Sequence, residues 1–294
     1  MAKGKYYSRS DTTNRALADF EVRELWLRHL VRADRADQLL RDEIDRDPTP
    51  PELRQNAHLF VVAQPLSTDR RLLLDAVDGQ LRSWVSAQQL GSQKYSPSAS
   101  HASTMARRAH GVGRSTYEIG PDRKLRPNGE HPAREDGLFD LEVREDGGVR
   151  LFNARASDTS RGMDALFGPL IGGDTSAVIE LARRISSAAE FLGGWTFGVG
   201  IVGLRSQSAF DPDFRSSSDP YSEDSYAETY EASGAELTAA GSPILDALVG
   251  RFCRSSLSAS QTPAELDLFR KLDHRRPLEP DSQSQSVDGS ASRQ

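Results

Sequence analysis

Cysteine and lysine are both scarce in this chain of 294 residues. Its single cysteine, Cys253, excludes an intramolecular disulfide and any cysteine-cluster metal site. Lysine occurs at only five positions, so arginine supplies most of the positive charge. No apolar run approaches the roughly 18–20 residues that a membrane span requires, and the first residues lack a signal-peptide core. We therefore expect a cytoplasmic protein with no membrane partner.

Complete catalytic motifs are also missing. The sequence contains no P-loop, no HExxH zinc motif and no GxSxG nucleophile motif, and its histidines lack metal-ligand spacing. We therefore expect no metal and no cofactor. The sequence leaves the question of enzymatic activity open and favours a non-catalytic protein.

The order of hydrophobic patterns predicts an α/β fold, with a mixed β-sheet flanked by amphipathic helices and a disordered C-terminal tail. One domain of unassigned function is expected over residues 26–258, and a short helix followed by the disordered polar tail over 259–294. Predicted helices span about 20–45, 68–90, 174–192 (capped by Asp174) and 243–257. Predicted strands span about 3–9, 57–63, 111–119, 138–144, 148–154, 195–204 and 226–232, and residues 91–109 are expected to form a loop.

The run from Gly198 to Gly203 spells the dinucleotide-binding fingerprint GxGxxG. That chemistry requires the glycines to open a helix, whose N-terminal amides hold the pyrophosphate. A polar stretch follows instead, and apolar residues alternate through the motif. The pattern therefore predicts a strand whose glycines allow close approach of the predicted helix at 174–192.

A second pattern, Asp122 with Asp140, Glu142 and Arg144, is similar to the acidic motif of metal-dependent nucleases. Asp140 and Glu142 should share one face of a strand, because side chains repeat with period two. However, arginine stands where those nucleases carry a lysine, and it is a poor substitute because its geometry and hydration differ. Solvated carboxylates on an exposed sheet face are the simpler interpretation.

Basic residues concentrate between positions 107 and 134, and acidic residues concentrate between 211 and 236. The basic stretch could contact phosphates of DNA or RNA, although the net charge of −6 excludes a uniformly basic surface. Alternatively, the two stretches neutralise each other within the fold. The arginines selected as candidate nucleic-acid contacts are Arg107, Arg108, Arg123 and Arg126.

The first residues add a family resemblance, carried by Tyr6, Tyr7, Arg9, Ser10, Asn14, Glu21 and Val22. This stretch resembles the closing strand, turn and helix start of the Schlafen-type AlbA putative DNA-binding domain. The resemblance covers about residues 4–25 and implies that residues 1–25 are the edge of such a domain, truncated at its N-terminus. It also implies that Tyr7 and Arg9 contact phosphate or base.

Three hypotheses for the function follow. The first is a non-catalytic nucleic-acid-associated or interaction protein of the Schlafen AlbA type. The second is a partner-binding scaffold without nucleic-acid contact, and the third is a metal-dependent nuclease.

Overall fold

The computed structural model describes residues 7–10, 13–16, 19–88, 102, 104–116, 118–126, 135–158, 165–209, 220–239 and 243–256. Its strands are β1 (Tyr7–Ser10), β2 (Thr13–Ala16), β3 (His58–Pro65), β4 (Thr104–Arg108), β5 (Gly111–Ser115), β6 (Phe139–Arg144), β7 (Val149–Asn153), β8 (Ser157–Asp158), β9 (Ala165–Leu166), β10 (Trp195–Val202), β11 (Ser208–Ala209) and β12 (Ser225–Ala232). Its α-helices are α1 (Asp19–Ile44), α2 (Leu72–Ala76), α3 (Leu81–Ala87), α4 (Gly168–Ala188), α5 (Gly234–Thr238) and α6 (Pro243–Ser256). The short helix and tail predicted for 259–294 lie outside the described residues.

A seven-stranded sheet in the order β12-β10-β3-β7-β6-β5-β4 organises the fold. The predicted α/β combination of a sheet with flanking helices is confirmed. Every pairing in this sheet is antiparallel. Short turns join β4 to β5 and β6 to β7. Parallel pairing occurs in a small three-stranded sheet, between β9 and β11.

The two faces of the large sheet are covered by different helices. Helices α4 and α6 pack on one face, over a core that includes Val61, Leu141 and Phe197. The second half of α1 packs on the other face through Leu40, over Phe60 and neighbouring apolar residues. Helix α1 runs without interruption across position 25, where the sequence pattern placed a domain boundary.

The glycine run at 198–203 lies in β10 and the turn that follows it, so the predicted glycine-rich strand is confirmed. The prediction that the helix at 174–192 approaches these glycines is wrong. A Cβ at Gly200 would lie 2.8 Å from Ile44 Cδ1, and one at Gly198 would lie 3.5 Å from Leu40 Cβ. The glycines therefore face α1, while α4 packs on the opposite face of the sheet.

Three local predictions need correction. The helix expected at 68–90 is two short helices, α2 and α3, because Asp78 and Gly79 both adopt positive φ angles, of 50° and 75°. Residues 104–108, expected in a loop, form the edge strand β4. Within the described residues, the strand expected at 3–9 corresponds to β1, which pairs with β2, a strand that the sequence pattern did not predict.

Helix α4 begins at Gly168, earlier than the sequence pattern indicated. Asp174 is therefore inside the helix and does not cap it. Its Oδ2 accepts a hydrogen bond of 2.6 Å from Asn153 Nδ2, which ties the helix to β7. No helix in the described part of the chain is both long and apolar enough to cross a membrane.

Candidate functional site

Arg107 and Arg108 are adjacent in β4, so the alternation of the strand places their side chains on opposite faces of the sheet. Arg107 is exposed, whereas Arg108 is buried on the face that α1 also covers. The two arginines predicted to act together therefore have different environments, and only Arg107 is open to a partner in solution.

Arg108 is part of an internal ion network. Its Nη2 donates to Asp140 Oδ1 at 2.6 Å, while its Nε and Nη1 are buried without a hydrogen-bond partner. Gly113 in β5 leaves room for this guanidinium, since a Cβ there would lie 2.3 Å from Arg108 Nε. A side chain at position 113 would therefore displace Arg108 from Asp140.

Arg123 extends the network to α1. Its Nε donates to Asp140 Oδ2 at 2.8 Å, and its Nη2 donates to Glu43 Oε1 at 2.5 Å. Burial acts to lower the pKa of Arg123, but Glu43 and Asp140 outweigh that effect and raise the pKa above its usual value. Burial raises the pKa of Asp140, and the two guanidinium groups oppose that rise. Arg123 therefore joins α1 to β6 and is engaged inside the protein.

The backbone around Arg123 forms a tight loop that brings the side chain to this position. Gly120 N–H donates to Lys124 O at 2.8 Å, and Arg126 N–H donates to Glu118 O at 2.8 Å. Arg123 itself has a φ of 63°, in the left-handed region. The loop turns Arg123 inward and leaves Lys124 and Arg126 exposed.

The exposed basic residues of β4 and of the loop at 118–126 are thus Arg107, Lys124 and Arg126. One exposed acid, Asp122, lies among them and accepts from the backbone N–H of Lys124 at 3.3 Å. Together the four groups leave an excess of two positive charges at neutral pH. The structure thereby separates the predicted arginines into an exposed set and an internal set, the latter formed by Arg108 and Arg123.

Four described residues of the acidic stretch lie at the opposite edge of the sheet, where Glu228 and Glu231 belong to β12 and Glu223 and Asp224 precede it. Because six strand spacings separate β4 from β12, the two edges are roughly 29 Å apart. Charges at that distance are screened from each other at physiological salt. Arg107 and the acidic residues at the β12 edge therefore do not neutralise each other, and Arg108 and Arg123 pair with Asp140 and Glu43.

Tyr7 and Arg9, the two residues implied by the family resemblance, lie in β1 opposite Ala16 and Asn14 of β2. The structure describes only the backbone of this hairpin. A contact of Tyr7 or Arg9 with nucleic acid stays a prediction.

The nuclease pattern is arranged differently from a metal site. Asp140 and Glu142 do share one face of β6, as predicted, but both are buried and not solvated on an exposed face. Both oxygens of Asp140 accept from guanidinium groups, and Asp122 is exposed in the loop. Among the described residues, no group of three or more His, Cys, Asp or Glu side chains could hold a metal ion.

A buried histidine cluster carries almost no sequence signature. His58 Nδ1 lies 2.7 Å from Asp47 Oδ2, and His58 Nε2 lies 2.7 Å from Glu135 Oε1. Burial acts to lower the pKa of His58, but hydrogen bonds and charge from the two carboxylates raise it overall. The single polar residue in the apolar run 57–63 was the only signal that could have pointed to this cluster.

The His58 cluster has a structural role, since the ring is fully buried. Glu135 also accepts from the backbone N–H of Gln55 and Asn56, and Asp47 also pairs with Arg54 Nε at 3.2 Å. Both carboxylates therefore act as acceptors, so both ring nitrogens of His58 donate. The protonated ring links the end of α1, the start of β3 and the segment before β6.

No protein-family model, curated protein or solved structure matches this chain. The resemblance to the Schlafen-type AlbA domain stays a prediction based on residues 4–25.

Proposed function

We propose that this chain is a non-catalytic nucleic-acid-binding module whose phosphate contacts come from Arg107, Lys124 and Arg126. The observation that carries the proposal is the separation of charge across the sheet. The exposed Arg107 lies on the edge strand β4, and the acidic residues Glu223, Asp224, Glu228 and Glu231 lie in or beside the opposite edge strand β12. Phosphate binding is driven largely by release of counterions, so a local basic patch suffices even in a protein with net charge −6.

In this proposal Arg108 and Arg123 act indirectly. Their guanidinium groups hold Asp140 and Glu43, which keeps the loop at 118–126 against the sheet and presents Lys124 and Arg126 to solvent. Tyr7 and Arg9 would supply further contacts from β1, as the family resemblance implies.

The experiment is a fluorescence-anisotropy titration of single-stranded DNA, duplex DNA and RNA oligonucleotides at low salt. The test variant is Arg107→Ala combined with Lys124→Ala and Arg126→Ala. The matched control is Arg70→Ala combined with Arg205→Ala and Arg251→Ala, which removes the same charge from exposed positions elsewhere.

We expect the test variant to bind at least about tenfold more weakly, and its salt slope to fall by about 2–3, since each phosphate contact contributes roughly 0.7–0.9. The control should bind like the wild-type protein. The proposal is wrong if the wild-type protein binds none of the three probes, or if the test variant and the control bind equally well. Separate Tyr7→Ala and Arg9→Ala variants test the contribution of β1.

One observation favours the second hypothesis, a partner-binding scaffold. Glu223 and Glu228 have no ion-pair partner among the described residues, and they border a groove of about 580 Å³ beside the edge strand β12. An edge strand with unneutralised acids fits an extended basic peptide. Binding of a lysine-rich peptide that is lost in Glu223→Gln combined with Glu228→Gln, without any nucleic-acid binding, would support the scaffold instead.

A further inference from the structure

A polar groove of about 480 Å³ lies between the second half of α1 and the sheet, and we call it the α1 groove. Arg150 of β7, Arg144 of β6 and Glu43 of α1 line it, together with Asp146 in the turn between the two strands. The volume is within the range of small-molecule sites. None of the proposed nucleic-acid contacts lines this groove.

Arg150 is a buried cation without a direct ion pair. The residue is 4% exposed, and no carboxylate in the described chain lies within ion-pair distance of it. Nη1 donates to Ala63 O at 3.1 Å and Val149 O at 2.8 Å, and Nη2 donates to Gln64 Oε1 at 2.8 Å. These bonds use three of the five N–H groups of a guanidinium.

Burial lowers the pKa of Arg150 to about 10, so the group remains charged at neutral pH. A buried charge held only by neutral acceptors is unfavourable, and an anion in the groove would relieve this cost.

Two further groups that line the α1 groove lack hydrogen-bond partners. Arg144 Nε is buried without one, since the nearest carboxylate oxygen, Asp146 Oδ1, is 3.7 Å away and too far for a hydrogen bond. Glu43 Oε2 is also buried without a partner, although Oε1 of the same carboxylate accepts from Arg123. The groove therefore has a free donor on one side and a free acceptor on the other.

The charge of the groove selects the class of ligand. Four arginines and three carboxylates line it, which leaves an excess of one positive charge. A zwitterion fits such a mixed lining, because its carboxylate can meet the arginines while its ammonium meets a carboxylate. We propose that the α1 groove binds a small amino-acid-like molecule, with its carboxylate at Arg144 and Arg150 and an N–H donor at Glu43.

Thermal unfolding in the presence of single compounds tests this proposal, because a ligand that binds only the folded protein raises Tm. The probes are the standard L-amino acids, each at about 20 mM, a concentration that reveals millimolar affinity. Acetate and betaine at the same concentration are the matched controls. Both carry a carboxylate, but neither offers an N–H donor.

We expect at least one amino acid to raise Tm more than acetate and betaine do. Arg144→Gln should weaken its binding by about tenfold or more, because a charged hydrogen bond is lost. In Glu43→Gln, the amino acid should raise Tm no more than betaine does. Arg71→Gln, at an exposed arginine that pairs with Asp75 outside the groove, should leave binding unchanged.

Two outcomes overturn the proposal. The first is that no amino acid raises Tm beyond acetate and betaine. The second is that the stabilisation persists in both Arg144→Gln and Glu43→Gln, which would place the ligand elsewhere. The nucleic-acid titration uses neither of these variants, so failure of the amino-acid proposal leaves the outcome of that titration independent.

Discussion

The guanidinium of Arg108 lies against the backbone of Gly113 on the neighbouring strand, where a Cβ would lie 2.3 Å from Nε. Arg108 reaches Asp140 because position 113 has no side chain. A glycine in the middle of a strand is otherwise unfavourable, and here the close approach of a charged side chain accounts for it.

We expect Gly113→Ala to destabilise the protein by about 1–3 kcal/mol, because the added methyl group displaces Arg108 and disturbs the buried network. The measurement is the free energy of unfolding from urea titration. Gly137→Ala is the matched control, since no heavy atom lies within 4 Å of a Cβ built there, and its effect should stay within about 0.5 kcal/mol. Equal effects at the two positions would contradict this interpretation of Arg108 and Gly113.

Removal of the Asp140 carboxylate, which Arg108 and Arg123 share, should destabilise the fold more than removal of an exposed carboxylate. Asp140→Asn leaves Arg108 buried without a carboxylate and leaves Arg123 with Glu43 alone, so we expect a loss of about 3–5 kcal/mol in the free energy of unfolding. Asp75→Asn, which breaks the exposed pair with Arg71, should cost less than about 1 kcal/mol. If Asp140→Asn unfolds at the same urea concentration as the wild-type protein, the network does not stabilise the fold.

Stability should depend on pH through His58. Because its pKa is raised in the folded protein, the protonated ring stabilises the fold fully below the unfolded pKa, near 6.5. This contribution is lost as the pH rises through the folded pKa, because the ring then loses a proton that it donates to Asp47 or Glu135. Urea unfolding of the wild-type protein and His58→Gln between pH 6 and pH 9 measures the effect. Their difference in stability should shrink with rising pH, and a constant or growing difference would rule out this role for the ring.

Replacing a glycine of β10 with valine should destabilise the fold, although valine is usually favourable in strands. Valine at an open strand position normally stabilises a sheet relative to glycine. At Gly200 its side chain would press on Ile44 Cδ1, which lies 2.8 Å from a Cβ there, so we expect Gly200→Val to destabilise the fold by about 1–3 kcal/mol. Gly200→Ala should have a smaller effect, because the end of the Ile44 side chain can shift. Increased stability in Gly200→Val would show that α1 does not pack on this strand.

Local features were predictable from the sequence, because they depend on residues a few positions apart. The turn between β6 and β7 follows from Asp146, Gly147 and Gly148, and Gly147 has a φ of 87°. Helix α6 begins at Pro243, as expected from a serine followed by proline. The sequence pattern did not predict the break between α2 and α3 at Asp78 and Gly79, because the helical spacing of apolar residues continues across it.

The sequence by itself determined the α/β composition and the alternation that puts Asp140 and Glu142 on one face of β6. Only the tertiary structure decided that Arg108 and Arg123 converge on Asp140 while Lys124 and Arg126 remain exposed. It also decided that the acidic and basic segments lie at opposite edges of the sheet. The physical reason is that these relationships depend on which distant strands pair, and on the helix packed over them, neither of which leaves a periodic signal in the chain.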